Sequence, residues 1–365
     1  MPSPEDPCLL PNGTLRNKLG ITHQAKLTAA EADLAAARER HLRHRLPEPP
    51  FTFETLRAIH HELFQDVYPW AGEPRTTALA KREFDHPGSP AQSFVEPRMI
   101  APLAEAVFKR LAAQDFLRGT SRPAFAAGAT EVFTELNRVH FAREGNGRSH
   151  RLLLSAIARN AGHALAFDVV TRERMVATSV AAHKGDSSGV RRMFDEILDT
   201  HQVEAMRKAL GFLKASGTVA WNDLYVATTR AGQDYDGTLV GRAGSDFMLR
   251  VDTPGSPSLL VGDARDLPST AANGSRVGLR ASQFPGSVDV PRPRSGSALG
   301  SVLDAMRQPE PAAPPPWAPP PASLTGRIRA FDERMNAEGG SLPKAEGAPS
   351  QGPDDTPRLK QGPKP

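Results

Sequence analysis

The run HFAREGNGRSHR, His140 to Arg151, decides how this chain is read. It joins the end of one apolar-periodic segment to the start of another. Before it, residues 123–140 place Phe125, Val132, Phe133 and Leu136 on one helical face, with His140 at the end. After it, residues 148–161 restart a helix with Leu152, Leu153, Ala156 and Ile157 inward, and Gly162 stops it. Between the two helices lie an arginine, an acid and two glycines, and two further arginines open the second helix. Gly145 and Gly147 can take positive φ and carry no side chain, so backbone N–H groups can point into one hollow. A hollow at a helix N-terminus favours an anion. Arg148 and Arg151, three apart on the first turn, can both face that anion and fork onto phosphate oxygens. Glu144 offers a hard oxygen suited to Mg²⁺. His140 titrates near neutrality and can take a proton from a hydroxyl. Singly these are weak signals. Their order within twelve residues points to phosphate chemistry.

Residues 24–44 are rich in Ala, Leu, Glu and Arg and read as an exposed helix, ended by Pro47, Pro49 and Pro50. Residues 52–68 are amphipathic, with Leu56, Ile59, Leu63, Phe64 and Val67 on one face and Thr52 as N-cap. Residues 75–96 read as strand-turn-strand or irregular loop. Residues 98–117 are another helix, and two or three more follow to about residue 213. Residues 219–283 change texture, with DLYVATT, GTLVG, DFMLRV, SLLVG and RVGLRA as short strands. They predict a small antiparallel β domain of about five strands, a barrel being one form of it. Residues 285–365 hold 17 of the chain's 34 prolines and predict a disordered tail. The fold class is mainly α, divided into an N-terminal extension (1–23), a helical domain (24–213), the β domain (219–283) and the tail.

Composition excludes several classes. The formal net charge is only +4, and no basic block marks a nucleic-acid partner. Cys8 is the single cysteine, so no internal disulfide forms, and a reducing compartment fits. No apolar h-region follows the start, and the most apolar stretch, 152–167, is broken by Arg159, Asn160 and His163. Neither a membrane nor nucleic acid is expected as partner, and the expected location is the cytoplasm, with delivery to another cell as an effector the other option.

The twelve residues resemble the signature of the Fic family, HPFx[DE]GNGRxxR. His140, Glu144, Gly145, Asn146, Gly147, Arg148 and Arg151 match it at the same spacing. HELFQDVYPWAGEPR (61–75) resembles the family's helix and WAGxxR segment, and LRNKLGI (15–21) the N-terminal segment of one bacterial branch. The likeness spans residues 10–205. It implies an α-helical domain with a β-hairpin flap at 76–96 that docks a target protein, and transfer of AMP from ATP to a Ser, Thr or Tyr hydroxyl. By the same resemblance His140 is the general base and Glu144 holds Mg²⁺. Gly145, Asn146 and Gly147 line the anion hollow, Arg148 grips the β- and γ-phosphates, and Arg151 the γ-phosphate. Some secreted bacterial members of that family carry a small oligonucleotide-binding-like barrel after this domain. The pattern's Pro-Phe is Phe141-Ala142 here, so either Phe141 anchors the loop from the neighbouring position or the loop is shifted. A glycine at 147, rather than the lysine of kinase-like relatives, favours AMP transfer over phosphorylation.

Some members are blocked by a helix carrying [ST]xxxE[GN]. Thr200 to Glu204 approaches that pattern, but Ala205 replaces the last residue, so a separate antitoxin protein is the expected inhibitor. Two other readings stand beside the transferase acting as toxin or effector. One is a catalytically weakened nucleotide-binding scaffold. The other is the same fold using another donor, such as UTP or a phosphocholine carrier.

Overall fold

The computed structural model describes residues 6–81, 92–215, 221–253 and 256–284. The tail predicted for 285–365 lies outside them. Among the described residues eight α-helices come first: α1 (Gln24–Arg43), α2 (Phe53–Phe64), α3 (Ile100–Ala113), α4 (Arg122–Val139), α5 (Asn146–Ala161), α6 (Arg172–His183), α7 (Ser188–Ile197) and α8 (Thr200–Ala215). Two short strands, β1 (Ala80–Lys81) and β2 (Gln92–Ser93), interrupt them after α2.

Local chemistry sets the boundaries. Thr52 caps α2 by accepting from the Thr55 amide, and the Thr55 hydroxyl accepts from the Thr52 amide in return. Pro123 sits in the first turn of α4, where its missing N–H is harmless. Gly145 and Gly162, both left-handed, bracket α5. The inward faces are those the periodicity predicts: Leu56, Ile59, Leu63 and Phe64 of α2 are buried, as are Phe125, Val132, Phe133 and Leu136 of α4.

Helix α1 departs from expectation. Leu27, Glu31 and Ala35, spaced i, i+4, i+8, are buried, and the helix packs on α2. The exposed reading failed because this face contains a carboxylate and an alanine, which give little hydrophobic contrast. The N-terminal segment also folds back, with the Lys18 amide donating to the Val67 carbonyl at 2.8 Å.

β1 and β2 pair antiparallel, Ala80 opposite Ser93 and Lys81 opposite Gln92. They form the base of the predicted hairpin; its tip at 82–91 lies outside the described residues. The later strands are β3 (Tyr225–Thr228), β4 (Asp234–Ala243), β5 (Asp246–Thr253), β6 (Ser256–Asp263) and β7 (Arg276–Arg280), in the order β3-β6-β5-β4-β7. Five strands were expected, but the sheet is mixed rather than wholly antiparallel, because β3 runs parallel to β6. A parallel pair needs a long crossover, which the β4–β5 hairpin supplies. Among the described ladders β3 and β7 are edges, so they do not close a barrel.

The sheet shares a core with the helices. Val226, Met248, Leu259 and Val261 join the helical core, while Leu239, Phe247, Leu249, Val277 and Leu279 form a second cluster on the opposite face. Period-2 alternation makes both possible. A buried ion cluster reinforces the junction. Arg174 Nη1 lies 2.7 Å from Glu196 Oε2 and also donates to the Val226 carbonyl, and Arg192 Nε lies 2.7 Å from Glu196 Oε1. Burial alone would raise the Glu196 carboxyl, but the two guanidiniums outweigh it and hold it below the usual range.

Candidate active site

The site forms where α4 stops and α5 starts. His140 ends α4 in the left-handed region (φ 45°, ψ 62°), its amide still bonded to the Leu136 carbonyl. That conformation is strained for a histidine. Arg75, itself buried, supplies the restraint. Its Nε donates to the His140 carbonyl at 3.0 Å, its amide to the Phe141 carbonyl at 2.8 Å, and its other nitrogens to the Thr77 and Val95 carbonyls at the flap base. One guanidinium thus ties the WAGEPR run, the loop and the flap together.

The imidazole of His140 is buried and stacks on Phe94 (centroids 3.9 Å, planes 14° apart). Neither ring nitrogen has a hydrogen-bond partner. Burial first, then the positive charges of Lys81 and Arg75, push its pKa well below the ordinary histidine value. The ring is therefore neutral, with an available lone pair.

Phe141 is fully buried and packs edge-on against Phe53 and His60, at 5.6 and 5.3 Å between centroids. Of the two outcomes open from sequence, the first holds: Phe141 anchors the loop. Ala142 is buried as well and is clamped by Asn146, whose Oδ1 accepts from the Ala142 amide at 3.0 Å while Nδ2 donates to the Ala142 carbonyl at 2.7 Å. The Asn146 side chain is thereby committed inward. Only its backbone remains to serve the hollow, a change from the expectation that it lines the hollow directly.

The two glycines have different tasks. Gly145 has φ +86°, and a Cβ there would stand 2.3 Å from Phe64 Cε2. Gly147 is not in the left-handed region, contrary to the reason given for it from sequence. A Cβ on it would meet only Arg151 Nη1, at 3.7 Å. Its missing side chain keeps open the space before that guanidinium.

Charge converges here. Arg151 is crowded by burial and by Arg148 and Arg43, which lower its pKa, against Glu39, which raises it. Such positive crowding at a helix N-terminus is relieved by an anion. Glu144 Oε1 accepts from the Gly145 amide at 3.1 Å, and Oε2 lies 3.4 Å from Lys81 Nζ of β1. Burial would raise its carboxyl, but Lys81, the Gly145 amide and Arg148 win and keep it ionised. Among the described residues no cluster of three or more His, Cys, Asp or Glu can hold a metal. A single carboxylate completed by phosphate oxygens is, however, an ordinary Mg²⁺ environment, so Glu144 fits the ion as one ligand of several.

His60 was missed from sequence. Its Nδ1 accepts from the Gly72 amide at 2.9 Å, so the proton is on Nε2, which donates to the Glu144 carbonyl at 2.8 Å. Burial lowers its pKa to about 4. It lies on the apolar face of α2, where a histidine reads as filler. Arg75, Glu31, Lys81 and Phe94 were missed too. Arg75 had the clearest signal, since it closes the quoted WAGEPR run. Glu204, the candidate inhibitory residue, is exposed on α8 beside Arg207 and has no part in the site. The Cys8 thiol is pushed up to about 11, chiefly by burial and by Asp6, and stays protonated.

No helix among the described residues is long and apolar enough to cross a membrane. The structure is similar to that of a type IV secretion system effector protein, BepA, with a TM-score of 0.68 and 29% identity over 76% of this chain and 96% of that one. The helices alone do not fill that share, so the match extends beyond them. In sequence the chain is 32% identical over 265 residues to a protein adenylyltransferase of Bartonella henselae, covering 70% of this chain and 47% of that protein. It is 33% identical to the protein adenylyltransferase VbhT of Bartonella schoenbuchensis, covering 48% of this chain and 35% of that protein. The chain thus spans half or less of the length of these two relatives. A third relative, the probable protein adenylyltransferase y4lH of Sinorhizobium fredii, is 35% identical and is matched over 96% of its length, 52% of this chain. The Fic/DOC family pattern itself matches residues 50–158, which enclose the α4–α5 loop and its supports. On the geometry of that loop and on these likenesses, the chain belongs to the Fic/DOC family.

Proposed function

We propose that this chain is a protein adenylyltransferase that transfers AMP from ATP to a hydroxyl of a target protein, as a toxin or effector acting in the cytoplasm. The observation that carries this reading is the pairing, across one short loop, of a neutral His140 without hydrogen-bond partners and the Gly145–Arg151 anion hollow. Several relatives are named protein adenylyltransferases, and BepA is named a secretion-system effector, which supports the same reading.

In this reading His140 accepts the proton of the target hydroxyl. The hydroxyl oxygen attacks the α-phosphorus in line, the bond to the β-phosphate breaks, and pyrophosphate leaves. Arg148 and Arg151 hold the outer phosphates, and the N-terminus of α5 adds its backbone donors. Glu144 would hold Mg²⁺, which would supply charge neutralisation on the phosphates. Phe141 and Asn146 keep the loop in one conformation, so little reorganisation is needed when substrate arrives. The target's backbone docks along the β1–β2 flap by strand addition. A separate antitoxin protein supplies inhibition, since Glu204 lies apart from the site.

The ordered Phe141 anchor argues against the weakened-scaffold alternative. Incubation of the chain with Mg²⁺, cell lysate and ATP labelled at either the α- or γ-phosphate tests the reading. Label is expected in protein from the α position alone. Label from the γ position, or stronger transfer from UTP than from ATP, would contradict it.

A further inference from the structure

Helix α1 carries a charge where a core helix should have none. Glu31 lies between Leu27 and Ala35 on the buried face and is 5% exposed. A carboxylate in that position is tolerated only when both oxygens find donors. Both do. The Tyr68 hydroxyl donates to Oε2, and Arg148 Nη2 donates to Oε1. Tyr68 is itself fully buried and stacks on Trp70 (4.2 Å, 16°). Its hydroxyl is pushed up far beyond the phenol range, by burial first and then by the Glu31 charge, so it remains a donor.

Arg148 is held on a second side. Its guanidinium lies 4.9 Å above the Phe64 ring, whose position Gly145 also depends on. An anion at one edge and an aromatic ring at one face together fix the plane of a side chain that is otherwise free to rotate. Glu31 occupies one edge of the fork, and the guanidinium has donors left for a ligand. Glu31 reaches from α1 to Arg148 of α5, with both of its oxygens taken. It is therefore built into the scaffold.

We propose that Glu31, itself oriented by Tyr68, is a positioning residue that fixes the Arg148 guanidinium for the outer phosphates of the nucleotide. This rests on the adenylyltransferase reading, in which Arg148 meets those phosphates. Pre-orientation reduces what binding must spend on ordering the side chain. The benefit is specific to ligands that carry a β-phosphate.

Calorimetric titration of the full chain with α,β-methylene ATP, which cannot be split at the reacting bond, and with AMP tests this. The variants are Glu31→Gln, Tyr68→Phe, Arg148→Ala and Glu31→Gln with Arg148→Ala. Glu31→Gln is expected to weaken α,β-methylene ATP binding about tenfold, from the usual strength of a hydrogen bond to a charged group. Tyr68→Phe is expected to weaken it by a smaller factor. AMP binding should be unchanged, and the double variant should bind no more weakly than Arg148→Ala alone. Unchanged or tighter binding in Glu31→Gln, with Arg148→Ala weakened, would overturn the proposal; tighter binding would make Glu31 a competitor of phosphate. Equal weakening toward AMP would also overturn it, by making Glu31 a general support of the fold. If Arg148→Ala itself keeps full affinity, the phosphate role of Arg148 fails instead. Should Glu31→Gln not fold, as judged by its melting transition, Tyr68→Phe carries the test, since it leaves the carboxylate in place.

Discussion

Gly145 and Gly147 show how much one missing methyl decides. At Gly145 the backbone is left-handed and Phe64 fills the space a side chain would take. Gly145→Ala combines left-handed strain with overpacking and should lower stability by roughly 2–5 kcal/mol. Gly147→Ala meets only Arg151 Nη1, at 3.7 Å, and should fold normally while intruding on the space in front of that guanidinium. Urea unfolding of both variants measures the difference; similar midpoints would mean that Phe64 does not hold the loop. His140 adds a second lesson. A histidine at the end of an amphipathic helix is legible in sequence. That it is buried, left-handed and stacked on Phe94 is not, because Phe94 returns from a hairpin 46 residues earlier. Likewise Asn146 matched the expected motif, but its side chain turned out to close the loop rather than face the ligand.

At the scale of elements, the contact between α2 and α5 is lined with histidines kept neutral. His60 of α2 and His150 of α5 have pKa values near 4 and 3, lowered first by burial from an ordinary 6.5. Protonating His60 would place a proton on Nδ1, where the Gly72 amide already points. As pH falls below about 6.5, the unfolded chain takes up these protons before the folded one does. Stability is thus full above pH 6.5 and declines toward pH 4, by up to ~1.4 kcal/mol per pH unit for each histidine. Urea unfolding at pH 7.5, 6.5 and 5.0, where most carboxylates stay ionised, should show the midpoint holding and then dropping; a flat profile would mean these rings are hydrated. Element type was legible wherever periodicity was strong, as in α2 and α4 with its buried Phe125–Leu136 stripe. It was less so in α1, where Glu31 interrupts the buried face, and in β3, whose parallel partner lies about 30 residues on. Local sequence says which residues are strand-forming, but the direction of pairing depends on the crossover.

At the scale of the molecule, the helices and the sheet are continuous. The sheet's inner residues Val226, Met248 and Val261 complete the helical core, and Arg174, Glu196 and Arg192 bind the two parts across a buried junction. The match to BepA, which extends past the helices, accords with this. The α4–α5 loop is supported from several directions: α1 through Glu31, α2 through His60, and the flap base through Arg75 and Phe94. In the proposed function this supported loop transfers AMP with His140 as base. Mass spectrometry of lysate proteins incubated with the chain, ATP and Mg²⁺ tests it most directly, wild type against His140→Ala. The expected result is an AMP-sized addition on a protein hydroxyl with wild type and a fall of at least about 100-fold with His140→Ala, which still binds α,β-methylene ATP. An addition that persists in His140→Ala, or none on any protein, the chain itself included, with wild type, would contradict that function.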